Sequence, residues 1–250
     1  MWRKGFRFVA LNMQLGGDLV TNPSHDTDPT TPYVTVTAVC FGALLSYALL
    51  NPAIWGDLSL EPFRQGATFL AIAPTWALLA ARASKKPLRH LGFTLAWDWA
   101  ATRGLVLLLP VILYNVWNVT LRGIAVAASA QSPTLSGTLG VAFGTGLVPP
   151  LAEELLFRGY ALTVLLDGAY APKRFLGLTS VSWYISVIFL LPHLITVVPG
   201  YLFVNLGRFY AGLVYAWIFE RTRSLTGPIA AHFLVNLPTA LVALVPLLLR

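Results

Sequence analysis

The sequence predicts an all-α fold: a polytopic transmembrane helical bundle of about seven to eight helices. Three observations carry that prediction. Of the 250 residues, 56% are hydrophobic and only 11% are charged, whereas a soluble domain carries about 25% charged residues. The apolar residues gather into spans that approach the roughly 20 residues of one membrane crossing. Basic residues collect in the segments between spans, as expected of loops that set orientation.

In chain order, Arg3, Lys4 and Arg7 stand among Trp2, Phe6, Phe8, Val9, Leu11 and Met13. Asn12 and Gln14 interrupt the apolar core that a secretory signal needs, so an interfacial amphipathic helix is the better reading. The run from Thr21 to Pro32 is a linker by composition, and His25 with Asp26 and Asp28 reads as solvated loop. Residues 1–32 are therefore expected to form an interfacial helix and linker, and residues 33–250 a single integral membrane domain.

Apolar spans follow at about 33–50, 66–81, 104–119, 137–166, 176–198, 201–219 and 226–249. Several carry proline, which a membrane helix tolerates where neighbours satisfy the freed backbone groups. With the N-terminus cytoplasmic, Arg82, Lys85, Lys86, Arg89, Arg103, Lys173 and Arg174 also fall inside, while the 51–65 and 120–136 loops carry only Arg64 and Arg122. The segment 192–206, with Pro192, Pro199 and Gly200, is a candidate re-entrant stretch. This pattern predicts an integral multi-pass protein of the cell membrane, with the lipid bilayer as its surroundings. The formal charge of +7 comes with no basic face or nucleic-acid motif, so nucleic acid is not an expected partner. The single Cys40 excludes an intramolecular disulfide and any cysteine-based metal cluster.

The fourth span holds Pro149-Pro150-Leu151-Ala152-Glu153-Glu154-Leu155-Leu156-Phe157-Arg158-Gly159-Tyr160. A charge at membrane depth costs at least about 2.5–3.5 kcal/mol, so such residues are functional candidates. On a helix Glu154 and Arg158 can pair along one face, while Glu153 points about 100° away. His193 closes Phe189-Leu190-Leu191-Pro192-His193, and His232 precedes Asn236 by four residues, again on one face. Carboxylate, imidazole and amide are the groups that deprotonate a water and donate to an oxyanion. Two His and a Glu with one open position also form a catalytic zinc pattern, so a divalent metal held by Glu153, His193 and His232 is the alternative. The zincin arrangement of two His around a Glu is absent. Singly, each motif has a plainer reading: a neutralised ion pair, an interfacial histidine, or interhelical hydrogen bonding.

Taken in order, Glu153-Glu154-x-x-x-Arg158, Phe189-x-x-x-His193 and His232-x-x-x-Asn236 resemble the motifs of the CPBP family, the CAAX-protease and bacteriocin-processing (ABI) intramembrane endopeptidases. The resemblance covers a core at about 137–240, with a weak upstream echo at Leu91-Gly92-Phe93. It implies a bundle with a conical active-site cavity and an endopeptidase that cleaves a membrane-associated peptide or protein, of the CAAX or leader-peptide type. The substrate could then be prenylated. It further implies that Glu153 activates water with help from His193, that Arg158 orients Glu154, and that His232 and Asn236 complete the site. The family is described both as glutamate-dependent and as metal-dependent. A catalytically silent membrane partner of immunity type is the alternative within the family. A proton-coupled transporter is a third reading, disfavoured by the lack of an internal repeat. Straight helices would leave His193 and His232 at different depths, so the fifth span is expected to begin later than drawn, or the helices to bend.

Overall fold

The computed structural model describes residues 30–54, 61–83, 91–94, 96–129, 135, 139–140, 142–168, 173–194 and 202–248. The interfacial helix and nearly all of the linker expected over 1–32 lie outside these residues, as do residues 195–201 of the candidate re-entrant stretch. The described chain is almost wholly helical. Its helices are α1 (Thr31–Ile54), α2 (Glu61–Ala83), α3 (Trp99–Ser129), α4 (Ala142–Gly168), α5 (Ser180–Leu194), α6 (Leu202–Thr222) and α7 (Thr226–Leu248). Each contains one of the expected spans or, for α4, α5, α6 and α7, most of one.

α4 is built of two wide π segments, Ala142–Leu147 and Leu155–Leu162, alternating with α segments Val148–Glu154 and Thr163–Gly168. The junction residues Leu147, Glu154, Leu155 and Thr163 keep right-handed helical angles, so the backbone runs on without a break. Pro149 and Pro150 sit where the first π segment passes into the first α segment.

α5 begins later than its apolar span, one of the two outcomes expected from the depths of His193 and His232. Residues 176–179 belong instead to an antiparallel hairpin pairing Arg174 with Thr179 and Phe175 with Leu178. Its turn residues Leu176 and Gly177 both have positive φ, 51° and 78°, as a primed two-residue turn requires. Thr179 then caps α5 by accepting the Ser182 N–H at 3.2 Å. The reading of 176–198 as one apolar span is corrected to this hairpin followed by Ser180–Leu194.

α6 lies between two apolar cores. Ala216 and Phe219 join residues of α1, α2, α4 and α5, whereas Ala211, Val214 and Ile218 join residues of α3 and α7. Small residues permit these close approaches. A Cβ on Gly104 would lie 2.4 Å from Ile218, and one on Gly159 would lie 2.9 Å from the Leu91 carbonyl oxygen. The Leu91–Thr94 segment fits the α6–α7 corner: the Leu225 N–H donates to the Gly92 carbonyl at 2.9 Å, and the Thr226 hydroxyl to Thr94 at 2.9 Å. The upstream Leu-Gly-Phe echo is thus part of the wall around the core helices. Among the described residues, two helical stretches, Trp99–Leu121 and Leu202–Thr222, are long and apolar enough to cross a membrane. Only 17% of the α3 window is buried, and Val106, Leu109, Leu113 and Trp117 point outward.

Candidate active site

Three helices deliver the candidate residues to one place. Glu154 and Arg158 come from α4, His193 from the last turn of α5, and His232 and Asn236 from α7. Glu154 and Arg158 are fully buried. Arg158 Nη1 donates to Glu154 Oε1 at 3.0 Å, and Arg158 Nη2 to the Gly212 carbonyl at 2.8 Å. The same Glu154 oxygen meets His232 Nδ1 at 2.8 Å. One carboxylate oxygen therefore joins two residues that are 74 positions apart in the chain. A buried ion of this kind is tolerable only when its partners are close and well aligned.

The sequence pairs Glu154 with Arg158 by their spacing, and that pair is present. The bond from Glu154 to His232 has no sequence signal, because it joins α4 to α7. Glu153, on the adjoining face, is not in this chain of bonds. Its carboxylate is slightly exposed, at 12%, and its Oε2 lies 4.0 Å from His232 Nε2. His193 lies within electrostatic reach of Glu153, Arg208 and His232, and its Nδ1 bonds the Phe189 carbonyl at 3.0 Å. The rings of His193 and His232 both pack against Phe189, at centroid distances of 5.3 and 6.1 Å. Those contacts hold the two imidazoles closer than the roughly 12 Å beyond which no single water-mediated site could include both. The late start of α5 and its Pro192 in the last turn accompany this convergence. Asn236 follows His232 by one turn of α7 and is partly buried.

Aromatic side chains complete the enclosure. The Arg158 guanidinium lies 4.6 Å from the centre of the Phe189 ring and 5.3 Å from that of Tyr215. Tyr215 stacks on His232 at 4.9 Å and 18°. The sequence reading includes Phe189 through its motif but singles out neither Gly212 nor Tyr215. The available signal is modest: Gly212 and Tyr215 are three apart on one face of a helix that is buried over Ala211–Ala216. A Cβ on Gly212 would come within 3.1 Å of Phe189 and 3.5 Å of Arg158 Nη2, so a glycine there allows the guanidinium and ring to meet α6.

Beside the cluster, a cavity of about 570 Å³ opens between α4, α7 and the Gly92–Thr94 segment. It is apolar, lined by Phe93, Leu147, Pro150, Leu225, Ile229 and Phe233 among others. Pro150 is one helical turn before Glu153, and Phe233 adjoins His232.

Residues 135–238 match the family model described as Type II CAAX prenyl endopeptidase Rce1-like. That match supports the CPBP resemblance of the motifs over this part of the chain. The matched region begins just ahead of α4, ends within α7, and contains all six candidate residues. The matched family is one of membrane-associated endopeptidases. A search among curated proteins gives no match, and neither does one among solved structures. A zinc ion would require three protein donors around one centre. Among the described residues, no group of three His, Cys, Asp or Glu side chains is arranged to hold a metal ion.

Proposed function

We propose that this protein is an integral multi-pass endopeptidase of the cell membrane, with its N-terminus cytoplasmic and residues 33–250 forming one membrane domain. It hydrolyses a peptide bond of a membrane-associated peptide or protein of the CAAX or leader-peptide type, using water activated by Glu153. The observation that carries this reading is the division of labour between the adjacent carboxylates. Glu154 is committed to Arg158 and His232, whereas Glu153 Oε2 is buried without a hydrogen-bond partner among the described residues.

The chemistry follows from that division. With Glu154 accepting at Nδ1, the neutral His232 ring carries its proton there and turns the Nε2 lone pair toward Glu153. A water between Nε2 and Glu153 Oε2 loses a proton to the carboxylate as its oxygen attacks the peptide carbonyl carbon. The new C–O bond yields a tetrahedral oxyanion, to which the Asn236 amide donates. The protonated Glu153 then transfers its proton to the departing amine as the C–N bond breaks. His193, held by Phe189 through Nδ1, offers its Nε2 as a second acceptor for the water. The apolar cavity beside Glu153 and His232 supports a substrate with a large apolar portion, such as a prenyl group.

The test is cleavage of a prenylated CAAX peptide, its unprenylated counterpart and leader-like peptides in liposomes. Wild type and Glu153→Gln would be assayed with and without a metal chelator. Cleavage that resists the chelator and is lost in Glu153→Gln is the expected result. Loss of cleavage on chelation would replace this mechanism with a metal-dependent one. Folded wild type that cleaves none of the peptides would overturn the enzymatic reading in favour of a silent membrane partner.

A further inference from the structure

We propose that Tyr215 is a further catalytic residue, whose ring holds His232 in place and whose hydroxyl donates a hydrogen bond to the oxygen of the scissile carbonyl. This inference rests on the hydrolytic reading above. Tyr215 lies on α6, outside all three motifs, and is 1% exposed. Its ring bears on both partners of Glu154: it stacks on the His232 imidazole and faces the Arg158 guanidinium. Phe189 meets the His232 ring from another side at 80°. The imidazole is thereby held against two rings while Glu154 fixes its Nδ1.

The hydroxyl is the more informative half of the side chain. It is buried and has no hydrogen-bond partner among the described residues, although most buried polar groups have one. A phenylalanine would fill the same space and keep the stack without burying an unpartnered hydroxyl. Retaining tyrosine therefore points to a partner that arrives with the substrate. The hydroxyl is within electrostatic reach of Glu153, Glu154 and Arg158. Glu153 Oε2 and Glu154 Oε2 are likewise buried without hydrogen-bond partners among the described residues. The carboxylate oxygens can only accept, whereas a phenol can donate. Tyr215 thus supplies a neutral donor among acceptors, as a developing oxyanion requires. As negative charge grows on the carbonyl oxygen, that hydrogen bond strengthens while the phenol keeps its proton.

The experiment compares wild type, Tyr215→Phe, Tyr215→Leu and Glu153→Gln in the same liposome assay, recording kcat, KM and thermal stability. Tyr215→Phe should lower kcat by about 10²-fold, leave KM within a few fold, and leave Tm unchanged or raised. Tyr215→Leu should lose more activity, and some stability, because the stack goes too. Wild-type kcat in Tyr215→Phe overturns the hydroxyl's role while leaving the Glu153 mechanism standing. A clear fall in Tm for Tyr215→Phe also overturns it, by showing that the hydroxyl is bonded within the fold. A wild type that does not cleave removes the hydrolytic reading itself, and this assignment with it.

Discussion

Two buried carboxylates in this bundle, Glu154 and Glu220, have opposite surroundings. Glu220, near the end of α6, accepts at Oε1 from the Thr179 N–H at 3.0 Å, the Thr179 hydroxyl at 2.7 Å and the Ser182 hydroxyl. Its second oxygen is met by Arg174 at 3.4 Å. These groups belong to the hairpin and the first turn of α5, where donors are in surplus and a negative charge is favoured. Glu154 instead faces a guanidinium and an imidazole, both packed against the rings of Phe189 and Tyr215. Burial of a charge is common to both, so burial does not identify a site. What differs is the chemistry of the partners: hydroxyls and a helix start tie segments together, whereas a carboxylate bridging Arg and His can orient a reactive ring.

The largest expected contrast is in activity. Glu153→Gln should lower kcat by about 10²–10⁴-fold while leaving the unfolding temperature in detergent nearly unchanged, since Glu153 is outside the Glu154 bonds. Glu220→Gln should leave kcat per folded molecule near wild type; a comparable loss there would break the distinction between the two acids. Next comes stability. Arg158→Leu leaves Glu154 buried without its guanidinium and should cost about 3–5 kcal/mol, whereas replacing both members with apolar residues should cost less. Thermal melts of the single and double variants test this, and a double variant weaker than Arg158→Leu would contradict it. Glu220→Gln should cost about 1.5–3 kcal/mol through its lost charge-assisted bonds, read as a lower midpoint in denaturant. Smallest is Arg174→Ala. With Arg174 mostly exposed, its ion pair with Glu220 should contribute no more than about 1 kcal/mol.

The same contrast explains what the chain reveals before folding. Glu153, Glu154 and Arg158 are legible because they are charges in an apolar run, and because a four-residue helical spacing predicts their pairing. His232 and Asn236 are legible for the same local reason. Glu220 escapes notice because it sits at a span end, where a charge looks solvated, although the hairpin covers it. That hairpin is hidden too: Phe175-Leu176-Gly177-Leu178 reads as the start of an apolar helix until Leu176 adopts a positive φ. Tyr215 is one aromatic among many, and nothing in its neighbours along α6 foretells a stack on a histidine of α7.

The sequence by itself determined the helical class, the extent of most helices and the membership of the motifs, since hydrophobic length and helical periodicity act over a few residues. Only the tertiary structure decided that Glu154 reaches His232, that Tyr215 lies against both His232 and Arg158, and that Glu220 fastens α5. Each of these contacts joins different helices, and side chains distant along the chain meet only where packing sets the helices' rotation and depth.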